Sequence, residues 1–142
     1  MLIPHVVNTE ADKVFVNFLN KQAATVQAGD IIAWDSSTAD GVRATQPVSA
    51  TLSLFAGVVD ADTAVDAYGL AQVYGYRSCA LLTNDTSVSV LAGDILVPVT
   101  ATDRLARSAA SDGKTGFIYA GEAYNTNTTP VAALKKVFIR AL

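Results

Sequence analysis

The sequence predicts an all-β fold, a small β-barrel or sandwich built from two pseudo-repeated hairpin units with an extended N-terminal arm. Three observations carry that expectation. First, residues 26–35 read VQAGDIIAWD and residues 90–99 read VLAGDILVPV, and continuing in register brings Ala56-Gly57 opposite Ala120-Gly121 without a gap. Self-similarity of this kind reads as one supersecondary unit used twice. Second, hydrophobic residues make up 51% of the chain and charged residues 16%, with Ala, Val and Thr prominent. Glu occurs twice and Lys five times, too few to cover exposed helix faces, so a β-branched, small-residue vocabulary points to strands. Third, turn signals such as Gly29-Asp30, Asp40-Gly41, Gly93-Asp94 and Asp112-Gly113 punctuate the chain at the roughly eight-to-twelve-residue spacing of short antiparallel strands.

Taken in order, residues 1–25 lie outside the repeat and are expected to form an arm, and residues 26–142 a single β domain whose pseudo-repeat covers 28–57 and 92–121. Strand-like runs fall at 14–19, 31–34, 52–59, 69–76, 79–82, 87–91, 95–99, 116–123 and 137–141. Residues 87–90, Ser-Val-Ser-Val, alternate with period two, as a half-buried strand does. In each Ala-Gly-Asp tripeptide the Gly permits positive φ and the Asp can bond nearby backbone, which makes a hairpin connection. The stretches 35–43 and 100–107 read as polar excursions. At the C-terminus, Val131, Leu134, Phe138 and Leu142 fall at helical spacing, but the β-branched and aromatic run Val137-Phe138-Ile139 favours a strand.

A chain of 142 residues is one ordinary domain, able to remove about two-thirds of its unfolded surface from water. Cys79 has no partner cysteine, so no internal disulfide forms and the fold relies on burial. The net charge is −3 and the basic residues are scattered, whereas a nucleic-acid binder concentrates positive charge on one face. No apolar run approaches the ~18 residues of a membrane span, and the first residues show no secretory signal.

Few residues offer chemistry. His5 is the one histidine and sits in the arm, a poor setting for a catalytic imidazole, which needs a rigid site and an orienting acceptor. Cys79 lies in an apolar run and reads as an inert core thiol. One Cys and one His cannot build a zinc site. Asp60, Asp62 and Asp66 place three carboxylates in seven residues, yet lack the central Gly and closing Glu of a calcium loop, so a solvated acidic turn is the expectation and no metal is assigned. No glycine-rich phosphate motif occurs, and no cofactor is expected. Tyr74 and Tyr76 flank Gly75 on one strand face, as either a cross-strand pair or a contact surface. Trp34 reads as a core plug whose place in the second unit is taken by Pro98.

The run Val14-Phe15-Val16-Asn17-Phe18, the turn Val26-Gln27-Ala28-Gly29-Asp30-Ile31-Ile32, its echo at 90–96 and the Ala-Gly strands at 56–59 and 120–123 together resemble the head decoration, or capsid cement, proteins of tailed bacteriophages. That resemblance implies a β-rich, non-enzymatic virion protein. It would bind the capsid exterior as a homotrimer, bridge subunits of the major capsid protein and use an N-terminal arm. Its contact residues would be Leu2, Ile3, Pro4, His5, Val6, Val7, Phe15 and Phe18. Unlike some members, this chain has no long Gly/Ser-rich tail. The rival expectation is a tail-fibre or adhesin module that binds glycan or receptor through Tyr74, Tyr76 or Tyr124. A Ser-Lys hydrolase is a further alternative, though no Ser and Lys stand in a recognisable catalytic pattern.

Overall fold

The computed structural model describes residues 13–38, 40–83, 89–108, 118–124 and 132–141. Among them are nine strands and no α-helix: β1 (Val14–Asn20), β2 (Ile31–Trp34), β3 (Arg43–Thr45), β4 (Phe55–Val59), β5 (Tyr68–Thr83), β6 (Ile95–Pro98), β7 (Leu105–Arg107), β8 (Ile118–Ala120) and β9 (Ala132–Arg140). A short 3-10 turn, Leu52–Leu54, leads into β4. The all-β expectation holds.

The strand order β1-β3-β2-β4-β5-β7-β6-β8-β9 carries two further pairings, β1 with β5 and β5 with β9, that fold one sheet into two five-stranded rings. β5 belongs to both. Its 16 residues extend roughly 50 Å, long enough to serve each ring with half its length. The first half pairs antiparallel with β1 from Val14↔Tyr74 to Leu19↔Tyr68 and with β4 at Val58↔Gln72. The second half pairs with β9 from Ala80↔Lys135 to Thr83↔Ala132 and, parallel, with β7 at Leu82↔Leu105. Each ring therefore joins its first strand to its third in parallel and makes every other pairing antiparallel.

The rings draw the repeat differently from the Ala-Gly echo. β2 and β6 coincide at the expected offset, but Ile31 faces Val58 whereas Ile95 faces Tyr119, so the second unit has three fewer residues before its returning strand. The turns agree: the Gly29 N–H donates to the Val59 carbonyl, and the Gly93 N–H to that of Ala120. Gly57 and Gly121 are thus not counterparts. Gly57 has φ +149° and no room for a Cβ, which would lie 2.8 Å from the Gln72 carbonyl oxygen, while Gly121 has no positive φ. The repeat also reaches further back than residue 26. β1 closes the first ring as the second half of β5 closes the second, so Val14–Asn20, expected within the arm, is an integral strand. Residues 1–12 of that arm lie outside the described residues.

Burial alternates along the end of β9, whereas all five residues of β4 are buried between the two cores. The interior of the first ring holds Phe18, Val26, Ile32, Ala44, Ala56, Val59 and Ala71. The second core gathers Leu82, Val90, Leu96, Leu105, Ile118, Val137 and Ile139, and adds Ile31, Phe55 and Val58 from the outer face of the first ring. Adjacent Ile31 and Ile32 thus enter different cores, which welds ring to ring. At one end of the first ring the plug is polar: buried Asn20 donates through Nδ2 to the Thr63 and Ala24 carbonyls, and its Oδ1 accepts the Gln22 N–H. Every hydrogen-bonding group there has a use, which a buried amide requires.

Candidate functional site

The residues with chemical promise do not converge. Asp60 pairs with Arg77 at 2.8 Å, Asp62 accepts the Ala28 N–H at 2.9 Å, and Asp66 pairs with Lys21. The three carboxylates are engaged separately, and no group of three metal-ligating side chains occurs among the described residues. Cys79 is half-buried, and its carbonyl accepts the Arg77 Nε–H at 2.9 Å. His5, Leu2, Ile3, Pro4, Val6 and Val7 lie outside the described residues.

Arg77 is a charged residue at the centre of the molecule, 6% exposed. It sits at the irregularity in β5 between Arg77 and Ala80, where the strand passes from one ring to the other. Its guanidinium donates to the Val59 carbonyl at 2.7 Å and pairs with Asp60, so the fork ties the end of β4 to the bend in β5. A guanidinium suits this place because one planar group reaches several acceptors at once. Sequence reasoning passed over it, since Arg77-Ser78 reads as a break between two strands.

A cleft of about 400 Å³ between the rings is lined by Gln27, Asp30, Gln46, Asp103 and Arg104 among others. Its carboxylates have structural partners: Asp103 accepts from Gln22 Nε2 at 3.0 Å and Gln46 Nε2 at 3.1 Å, and Asp30 accepts the Gln27 N–H at 2.7 Å. Burial pushes the Asp30 carboxyl above its ordinary 3.8; the Gln27 hydrogen bond opposes this, and the charges of Asp103 and Asp62 add to it. The exposed loop of the first ring does the reverse. Bonds from the Ser37 hydroxyl and N–H hold Asp35 below 3.8, and the Val42 and Arg43 N–H groups hold Asp40 below it.

A feature open to a partner is the aromatic face where β5 meets β9. Cross-strand partners share a face, so Tyr74 and Tyr76 stand with Val14 of β1 and with Phe138 and Arg140 of β9, while the register shift between Val14 and Phe15 sets Phe15 on the other face with Gln72, Leu70 and Tyr68. Tyr74 packs edge-to-face on Phe138 with ring centroids 5.8 Å apart, while Tyr68 is 70% exposed. Contiguous apolar surface of this kind marks an interaction site more often than a scatter of single residues does. Phe15, an expected contact residue, is 38% exposed on the opposite face. Phe18, expected beside it as a contact residue, is wholly buried in the first ring and has no surface to offer. Tyr124 is 6% exposed, with Lys135 over its ring, so it is closed to a glycan in this fold. Trp34 packs against the first core.

No family model matches the sequence, and no curated protein matches it. Among solved structures, the fold is similar to the head fiber gp8.5 N base of bacteriophage phi29, with a TM-score of 0.51 and 16% sequence identity over 90% of this chain and 97% of that one. At that identity the likeness establishes a shared β architecture running through both rings.

Proposed function

We propose that this chain is a structural protein of a bacteriophage head, a non-enzymatic decoration or cement protein that binds the outer surface and bridges subunits of the major capsid protein. The observation that carries the reading is the similarity, across nine-tenths of the chain, to the base of a phage head fibre. Two features accord with it. The described residues hold carboxylates engaged one by one, not a convergent reactive cluster. The aromatic outer face of β5 offers breadth suited to adhesion, where many weak contacts sum over repeated sites on a shell. On this reading the protein is a homotrimer on the capsid exterior, and residues 1–12 supply an adhesive extension to which Phe15 is adjacent.

Purified chain mixed with undecorated heads should co-sediment with them to a saturating ratio, and a variant lacking residues 1–12 should stay folded yet fail to do so. Absence of saturable binding by the full chain would rule the reading out. A second reading, a tail-fibre or adhesin module, draws on the exposure of Tyr76 beside Tyr74 and Phe138. Glycan-array binding that disappears in Tyr76→Ala would favour it.

A further inference from the structure

The joint between the rings has a vacant counterpart. In the first ring, the turn at Ala28-Gly29-Asp30 reaches into the second: the Leu81 N–H donates to the Gly29 carbonyl at 2.8 Å, and the Ile31 N–H donates to the Asp103 carbonyl at 3.0 Å. Leu134 lies against Gly29, where a Cβ would stand 2.6 Å from its Cδ2. Ile31 is fully buried there.

The same turn recurs in the second ring with the same internal chemistry. Gly93 has φ +88° against +95° for Gly29, and Asp94 accepts the Leu91 N–H at 2.8 Å as Asp30 accepts that of Gln27. Its surroundings differ. No described residue lies within 4 Å of a Cβ at Gly93, and Leu91 and Ile95 are 55% and 38% exposed.

The receiving groups also have counterparts. The strand registers make Leu19 of β1 equivalent to Leu81, Val42 to Asp103 and Tyr68 to Leu134. In the first ring no turn intervenes, and the Leu19 N–H bonds directly to the Val42 carbonyl at 2.8 Å. Opening that one bond frees a donor and an acceptor, and the second ring shows that a ring parted in this way stays closed by the next pairing, Leu82↔Leu105. In the first ring that next bond is Lys21 N–H to the Ala44 carbonyl at 2.9 Å.

We propose that the turn at 91–95 of one copy inserts between Leu19 and Val42 of a second copy, repeating between chains the joint that holds the two rings together within one. The Gly93 carbonyl accepts from Leu19, the Ile95 N–H donates to Val42, and Tyr68 covers the glycine as Leu134 does inside the chain. One hydrogen bond is exchanged for two, and Ile95 leaves water as Ile31 does inside the chain. The contact is head to tail, because the two surfaces differ. It rests on the internal joint alone, so capsid binding and this association can fail independently.

The test uses the full chain in isolation, by sedimentation over a dilution series. Wild type should associate. Ile95→Glu, which alters the side chain the inserting turn buries, and Tyr68→Glu, which alters the receiving edge, should each weaken association at least about tenfold in dissociation constant while keeping a wild-type circular dichroism spectrum. Mixed together, these two variants should form a one-to-one dimer and nothing larger, since one retains the turn and the other the edge. Wild type that stays monomeric, variants that associate as wild type does, or a mixture that stays monomeric would each overturn the proposal.

Discussion

Arg77 shows how one side chain can hold two rings in place. Its guanidinium is desolvated, yet it bonds the Val59 and Cys79 carbonyls and the half-exposed Asp60 carboxylate. Arg77→Ala would strand those acceptors, and urea unfolding should show a loss of about 2 kcal/mol, less than the ~3–5 kcal/mol of a fully buried pair because water reaches Asp60. Asp30 acts in the opposite sense. Its raised folded-state pKa means that the folded chain holds this proton more tightly than the unfolded chain. The carboxylate therefore costs stability above its folded value, and that cost fades as pH falls toward 3.8. Asp35 and Asp40, with lowered values, contribute stability above 3.8 that disappears as pH drops through their folded values. Asp30→Asn keeps the acceptor for Gln27 and removes the charge. Its Tm should match or exceed wild type at neutral pH, with the gain shrinking toward pH 3.8; a gain that grows on acidification would contradict this account.

Strand geometry explains what could be read in advance. β2 was legible to the residue, because an apolar run directly after a Gly-Asp turn has one simple reading, and β6 followed from its echo. β7 falls inside the polar excursion at 100–107 and β3 begins at the last residue of the one at 35–43, since Arg-Ala-Thr and Leu-Ala-Arg are too short to display alternation. β5 was split in two because a buried arginine looks like a loop until its acceptors are known. The aromatic face is hidden in the sequence for a related reason: Tyr74, Tyr76 and Phe138 become neighbours only through cross-strand register. Gly57 offers a test at this scale. Gly57→Ala would press a methyl group on the β5 backbone and should cost about 2 kcal/mol or more in thermal unfolding. Gly41→Ala, at φ +69° with open space around it, should cost about 1 kcal/mol.

Across the whole molecule the decisive relation is that the second ring does not own its core outright. Ile31, Phe55 and Val58 stand on the first ring and are buried with the second, so the halves should melt in one transition. Ile31→Ala should cost about 2–5 kcal/mol, against about 1 kcal/mol for Ile95→Ala in the unassociated chain, since Ile95 is already partly in water. Equal losses would mean that the two units meet more loosely than their hydrogen bonds indicate.

β1 and β9 meet β5 at one residue. Val14 opens β1 opposite Tyr74, and Arg140 closes β9 opposite the same tyrosine, which places these two strand ends within about 10 Å of each other at the waist of the molecule. A tether fastened to either end would pull at that waist and not at a pole. The load would divide between the two halves along β5, leaving the far tips of the rings unburdened and free to grip whatever lies beside them.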